Sequence, residues 1–175
     1  MQIYRLLEQK KAAIIERWCD LVIDTYPAEA RDFFKQKKNR FSNPVGAQLH
    51  SQTAACLDLF LAEAPDEEAA ACLKEVIQIR SVQEFSPAQA VGFVLYLKQA
   101  VRELLAGEIR THALFIELLT VESRIDRLQL CAFDSYSRSR DKMHEIRTDE
   151  LRRRSFMAMK RMTLFEDSED TQEDT

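Results

Sequence analysis

Glycine and proline are scarce in this sequence, which has three glycines and four prolines among 175 residues. Turn-rich β architectures depend on both residue types, so their scarcity argues against an all-β fold and leaves helices with few internal breakers. The glycines stand alone at Gly46, Gly92 and Gly107, which excludes a glycine-rich phosphate-binding loop. The sequence therefore predicts an all-α domain without a nucleotide loop.

Long apolar runs and clustered cysteines are also absent. The longest apolar run, Ala90–Leu97, is far shorter than the roughly 20 residues of a membrane span, and the N-terminus lacks the apolar core of a signal peptide. The cysteines are widely spaced, which favours reduced, buried thiols over disulfides or metal ligands: Cys19, Cys56, Cys72 and Cys131. We expect a cytoplasmic protein without membrane insertion.

Charge is distributed unevenly, although the formal net charge is only −4. Residues 138–161 carry nine Lys or Arg and four Asp or Glu, whereas residues 166–175 carry six acids and no base. Because residues 166–175 are too polar to be held in a core, this end of the chain is expected to be disordered. The predicted organisation is a helical domain over residues 1–160 and an acidic, disordered tail over residues 161–175.

Local signals place several helix boundaries. Tyr26-Pro27 ends an opening helix, and Asn43-Pro44 reads as an N-cap followed by the first residue of another. Ser86-Pro87-Ala88-Gln89 has the capping-box spacing with proline at the first helical position. These signals and the apolar periodicity predict a bundle of six to eight helices.

The segment Thr111–Phe165 contains neither glycine nor proline. An apolar stripe follows much of it: Leu114, Leu118, Ile125, Leu128, Ala132, Met143 and Leu151. One helix of this length would extend roughly 70–80 Å, beyond a domain of this mass. Either it breaks near Ser135–Ser139, or its end projects and pairs with a second copy, which predicts a homodimer through the C-terminal helices.

Cofactor and nucleic-acid motifs receive little support. The three histidines have no evident partners for haem, no Glu-x-x-His pair occurs for a di-iron site, and His144-Glu145 lacks the second histidine of a zincin. The basic run Arg152–Arg154 has interleaved acids before it and no aromatic platform, so a solvated face is favoured over nucleic-acid binding. No cofactor is predicted.

The segment Met143–Thr148 resembles the H-box of histidine kinases, in which a phosphorylated histidine precedes a glutamate. Asp149 replaces the usual proline, and no ATP-binding domain follows. A chance His-Glu pair on a charged helix is the favoured interpretation. The alternative is a phosphotransfer protein with His144 as phosphoacceptor and Glu145 as base.

A more extensive resemblance is carried by Ile79–Phe93 with Leu97-Lys98, by Asn43–Gly46, by Arg124–Asp126 and by Phe133-Asp134-x-Tyr136. These residues resemble the N-terminal sensor domain of RsbRD-type stressosome co-antagonists, over about residues 10–155. The resemblance implies a globin-like bundle that binds no haem, is usually dimeric and passes a signal through its last helix.

The recurring positions of the motif are the candidates for a signal or packing site: Arg80, Gln83, Phe85, Ser86, Phe93, Arg124, Asp126 and Tyr136. Arg80, Gln83 and Ser86 lie at an inter-helix corner, where donors can satisfy helix-end carbonyls. Arg124 and Asp126 lie on different sides of their helix and cannot pair with each other. Fixing the packing is favoured over ligand sensing for all of them.

The resemblance predicts a regulatory function rather than an enzyme. The multidomain relatives end in a STAS domain that engages a kinase, whereas this chain stops at Thr175, so kinase antagonism does not carry over. We expect a non-catalytic, stand-alone sensor or adaptor in bacterial signalling that works through a separate partner protein. A structural or assembly subunit of a larger complex is the remaining alternative.

Overall fold

The computed structural model of the chain describes residues 1–36, 43–83 and 85–170. Within these ranges it contains α-helices, one short 3-10 turn and no β-strand. The helices are α1 (Gln2–Gln9), α2 (Lys11–Ile23), α3 (Ala28–Gln36), α4 (Pro44–Leu61), α5 (Asp66–Ala71), α6 (Lys74–Val82), α7 (Pro87–Gly92), α8 (Tyr96–Leu105) and α9 (His112–Asp170), with the turn at Phe93–Leu95. The predicted all-α bundle with a long last helix is confirmed.

Three helices that were expected to be continuous are each divided into two shorter helices. Lys10 leaves the helical region with φ −104° and ψ 10° and separates α1 from α2. A turn at Cys72-Leu73 separates α5 from α6, and the 3-10 turn separates α7 from α8. Apolar periodicity does not register such breaks, because the residues on either side still face the same core.

Two helix starts follow the predicted capping chemistry. The Asn43 side chain accepts a hydrogen bond from the Gly46 amide at 2.8 Å and donates one to the Phe34 carbonyl at 2.9 Å. A Cβ atom at position 46 would collide with the Asn43 side chain, so this start requires glycine. At α7, both hydrogen bonds of the Ser86–Gln89 capping box are present.

The chain consists of two compact units, residues 1–137 and residues 138–175. The first contains the hydrophobic core, in which α2 packs against α4 and α8. Trp18 is fully buried there and donates its indole hydrogen to the Phe93 carbonyl at 2.8 Å. This bond ties α2 to the turn that follows α7, beside the site described below.

Helix α9 runs without interruption from His112 to Asp170, so the expected alternative of a break near Ser135–Ser139 is wrong. No glycine or proline is present to break it. In the first unit the predicted stripe is buried against the chain's own core, at Leu114, Leu118, Ile125, Leu128 and Ala132. Those side chains are therefore already covered within one copy.

The second unit differs in burial from the first. From Arg138 to Lys160 the side chains are exposed, except for those of Ser139 and Met143, which are half-buried. The backbone of residues 161–170 continues α9, and residues 171–175 of the predicted acidic tail lie outside the described residues. The disorder of that tail stays a prediction. No helix in the described ranges is long and apolar enough to cross a membrane.

Candidate functional site

Two of the predicted site residues are arginines in the interior of the first unit. Arg80 is 0% exposed and Arg124 is 8% exposed. Charged side chains are rarely buried to this degree unless they are paired, because transfer of an ion out of water is costly. The partners of each guanidinium therefore indicate what each arginine does.

Arg80 lies in the last turn of α6, where the end of α2, the start of α7 and the 3-10 turn meet it. Its Nη2 atom donates to the Thr25 hydroxyl at 3.1 Å and to the Gln89 carbonyl at 3.0 Å. Three aromatic rings surround the guanidinium, with centroids at 4.1 Å for Phe85, 5.0 Å for Tyr26 and 5.6 Å for Phe93. We call these six residues the Arg80 corner.

The rest of this guanidinium is unsatisfied. Its Nε and Nη1 atoms are buried and have no hydrogen-bond partner. Within the described ranges, no carboxylate lies within 4.0 Å of it. The Arg80 corner thus holds a buried positive charge whose counter-charge does not come from a described side chain.

Local chemistry explains how the chain builds this corner. The Ser86–Gln89 capping box fixes the start of α7 and thereby places the Gln89 carbonyl toward α6. The Thr25 hydroxyl donates to the Val22 carbonyl at 2.6 Å, so its oxygen lone pairs are free to accept from Arg80. Tyr26 packs edge-to-face on Phe85, with ring centroids 5.2 Å apart.

Arg124, on α9, has a complete set of partners. Its Nη1 and Nη2 atoms donate to the Phe60 and Ala64 carbonyls, each at 2.5 Å, and its Nε donates to the Asp66 carboxylate at 3.0 Å. Nη1 also lies 3.3 Å from the Tyr4 hydroxyl, and the guanidinium stacks on the Phe60 ring at 4.4 Å. We call these five residues the Arg124 clamp.

The clamp forms where α4 ends and α5 begins. Helix α4 closes with the Glu63 amide donating to the Phe60 carbonyl and the Ala64 amide donating to the Leu59 carbonyl, the Schellman pattern. Glu63 adopts the left-handed conformation, with φ 56°. Arg124 adds donors to carbonyls in this turn, a role expected of an arginine at a helix end.

Asp66 supplies the negative charge of the clamp. It also accepts a hydrogen bond from Arg127 at 2.8 Å. Burial acts to raise the pKa of Asp66, but the hydrogen bonds from Arg127 and Arg124 outweigh it and hold the pKa below its ordinary value. The carboxylate is therefore ionised at neutral pH.

The other predicted residues are dispersed. Gln83 is exposed at the end of α6, and Ser86 is exposed and caps α7. Asp126 is exposed and pairs with Lys98 at 2.6 Å. It does not pair with Arg124, as the sequence analysis expected. Tyr136 is buried near the end of the first unit, and His144 is exposed in the second.

The structure therefore brings Arg80, Phe85 and Phe93 together, beside Ser86. Arg124, Asp126 and Tyr136 lie outside this cluster in the first unit, and His144 belongs to the second unit. Sequence reasoning did not identify Thr25 and Tyr26 as members of the corner. Tyr26-Pro27 was visible only as a helix end. The functional roles of all these residues, including phosphate acceptance by His144, stay predictions.

The thiols and acids provide no second site. Burial raises the pKa of Cys19 to about 11 and that of Cys56 further still, so both thiols stay protonated at neutral pH and are poor nucleophiles. Cys72 and Cys131 are half-buried. In the part of the chain that the structure describes, no three His, Cys, Asp or Glu residues lie together as a metal site would require.

Residues 12–151 match the family described as the RsbT co-antagonist protein rsbRD N-terminal domain. The chain belongs to this family. The resemblance predicted over about residues 10–155 is thus confirmed, and the RsbRD N-terminal domain is a stress-signalling regulatory domain. No curated protein and no solved structure matches the chain. Both the Arg80 corner and the Arg124 clamp contain residues of the matched RsbRD segment.

Proposed function

We propose that this chain is a non-catalytic regulatory domain of bacterial stress signalling, located in the cytoplasm, that acts through protein–protein contacts and forms a homodimer. Membership of the RsbRD N-terminal domain family supports the regulatory role. The contact role is carried by one observation in the first unit, a row of exposed apolar side chains on α9.

This row, the α9 stripe, consists of Ile116, Leu119, Leu130 and Phe133, which are all exposed. Ser123 and Asp126 occupy its middle, so the six positions follow the alternating spacing of three and four that places residues on one helix face. At about 100° per residue, the stripe points roughly 150° away from the side chains of α9 that are buried in the core. Helix α9 therefore presents a second apolar face.

The stripe is symmetric about its middle, with two apolar residues on each side of a polar pair. A second α9 laid antiparallel would place Ile116 opposite Phe133 and Leu119 opposite Leu130, so that apolar side chains meet. Ser123 would then face Asp126 of the second copy, and its hydroxyl, which donates to the Leu119 carbonyl at 2.9 Å within one copy, can rotate to donate to that carboxylate instead. Such self-complementarity is what a two-fold interface requires, because each contact occurs twice.

A parallel pairing of the same stripe is less favourable. In register, it would set each Asp126 opposite its own copy. Lys98 pairs with each of these carboxylates, but the two acids would still face each other without a hydrogen-bond donor between them, and like charges across an interface repel. Helix α9 of the second copy is therefore proposed to run antiparallel.

The second unit offers a weaker surface for pairing. Among its described side chains, residues 138–160, the exposed large apolar residues are Ile146, Leu151, Phe156, Met157 and Met159. At about 100° per residue, Leu151 lies about 140° from Ile146, and Phe156 lies a further 140° around the helix. These side chains do not form one face, so the proposed dimer contact lies at the α9 stripe rather than in residues 138–160.

Light scattering coupled to size exclusion tests the proposal with two matched variants of the full chain. Leu130→Glu and Leu151→Glu make the same substitution on the same helix, at side chains that are 65% and 66% exposed. We expect a dimer for the wild type and for Leu151→Glu, and a monomer with unchanged helical circular dichroism for Leu130→Glu. A monomeric wild type, or dissociation by Leu151→Glu alone, contradicts the proposal.

A further inference from the structure

We propose that the Arg80 corner binds one small monovalent anion, a halide or a short carboxylate such as formate, which supplies the counter-charge of Arg80. This inference does not rest on the proposed dimer. It rests on the two donor atoms, Nε and Nη1, that remain without partners in a fully buried guanidinium.

The surroundings compensate the charge only in part. Stacking of a guanidinium on aromatic rings is favourable when the pair is desolvated, but its contribution is modest. The C-terminal end of α6 contributes the equivalent of roughly half a negative charge. Both effects are smaller than the cost of burying an unpaired ion in a protein, and neither gives Nε or Nη1 an acceptor.

The geometry favours a small ion of single charge. Nη2 is already used by Thr25 and Gln89, and the two free donors, Nε and Nη1, lie on different edges of the guanidinium, so one small ion accepts a hydrogen bond from one of them. The Phe85, Tyr26 and Phe93 rings surround the group. One negative charge neutralises the guanidinium. A divalent oxyanion such as sulfate would leave a net negative charge among apolar side chains, which is unfavourable.

Binding would also tighten the corner. An anion held by Arg80 acts on a residue of α6 that is already bonded to the end of α2 and to α7. A ligand that binds only the folded state raises its stability as the ligand concentration rises. Thermal unfolding therefore reports occupancy without an activity assay.

The experiment compares sodium chloride, sodium formate and sodium sulfate at the same ionic strength, with the full chain. We expect the melting temperature of the wild type to rise by about 3–6 °C for each tenfold increase in the chloride or formate concentration above the dissociation constant of that anion. Sulfate should not produce such a rise with each tenfold increase in its concentration. Arg80→Met should abolish the rise. Arg127→Met, the same substitution at an exposed arginine, should retain it.

A second measurement needs no variant. Chloride-35 NMR on the wild-type protein should show line broadening that formate reverses by competition and that sulfate does not reverse. This result is required even if Arg80→Met fails to fold. No broadening, or broadening that sulfate removes equally well at the same ionic strength, overturns the proposal.

Glu84 provides the sharpest alternative, because this acid follows Arg80 by four residues in the sequence and lies outside the described residues. If Glu84 were the counter-charge, Glu84→Gln would create an anion dependence that the wild type lacks. We expect instead that the wild type and Glu84→Gln show the same dependence on chloride and formate. A dependence present only in Glu84→Gln overturns the proposal.

Discussion

Arg80 and Arg124 are both buried arginines that stack on aromatic rings, and they differ in what their nitrogen atoms contact. In the Arg124 clamp, all three nitrogens donate to oxygens, and the Asp66 carboxylate balances the charge. In the Arg80 corner, one nitrogen donates and two have no partner. Arg124 therefore uses its hydrogen-bond donors to stabilise the fold, whereas Arg80 has donors that no described group of the fold accepts.

This contrast assigns different tasks to the two regions. The clamp joins α1, the junction of α4 and α5, and α9, so its bonds are part of what holds the first unit together. The corner offers donors that the fold itself does not use. Substitutions that remove each arginine in the same way should therefore affect stability very differently.

The largest effect is expected for Arg124→Met. The change keeps an apolar chain on the Phe60 ring but removes the hydrogen bonds to the Phe60 and Ala64 carbonyls and leaves the half-buried Asp66 carboxylate with Arg127 alone. Removing one partner of a buried ion pair typically costs about 3–5 kcal/mol. Urea unfolding should show this loss, whereas Arg127→Met, at an exposed partner of the same carboxylate, should cost about 1 kcal/mol or less. Equal losses would contradict the clamp.

A smaller, pH-dependent effect is expected for Asp66→Asn, about 1–3 kcal/mol at pH 7. The pKa of Asp66 is lowered in the folded state, so its ionised form stabilises the fold above the unfolded-state pKa near about 4. This contribution is lost as the pH falls through the folded-state pKa. Urea unfolding of both proteins between pH 7 and pH 3 should show their difference shrinking on acidification; a constant difference would argue against the charge.

Arg80→Met should cost little by comparison. Replacing a buried charge that lacks a counter-ion by an apolar side chain of similar length is often neutral or stabilising. In buffer without chloride or formate, we expect the free energy of unfolding to stay within about 1 kcal/mol of the wild type or to rise. A loss as large as that of Arg124→Met, measured in the same urea series, would show that the two arginines do not differ.

The features around the two arginines also differ in whether they could be predicted from the sequence. Caps at Asn43 and Ser86 were predictable, because each depends on residues within three positions. Membership of Thr25 in the Arg80 corner was not, because the two residues are 55 positions apart and only tertiary packing brings them together. Arg80 itself was singled out by family resemblance, and its unsatisfied nitrogens could be recognised only in the folded chain.

The α9 stripe was missed for a different reason. Helical periodicity in the sequence marks the residues that are buried, such as Leu118 and Ile125, and one such stripe is enough to explain an amphipathic helix. Leu119 and Leu130 belong to a second row that interleaves with the first. Which row faces the core is decided by the neighbouring helices, and sequence spacing alone does not distinguish the two.

The smallest effect concerns the turn that presents the carbonyls of the clamp. Glu63 is exposed and holds φ 56°, a conformation that glycine adopts without the steric cost of a Cβ atom. Glycine also loses more backbone entropy on folding, so Glu63→Gly should raise the free energy of unfolding by only about 0.5–1 kcal/mol. Glu63→Ala, measured in the same urea series, controls for loss of the side chain and should not be stabilising. If Glu63→Gly instead destabilises the protein, the Glu63 side chain contributes to the clamp beyond its backbone conformation.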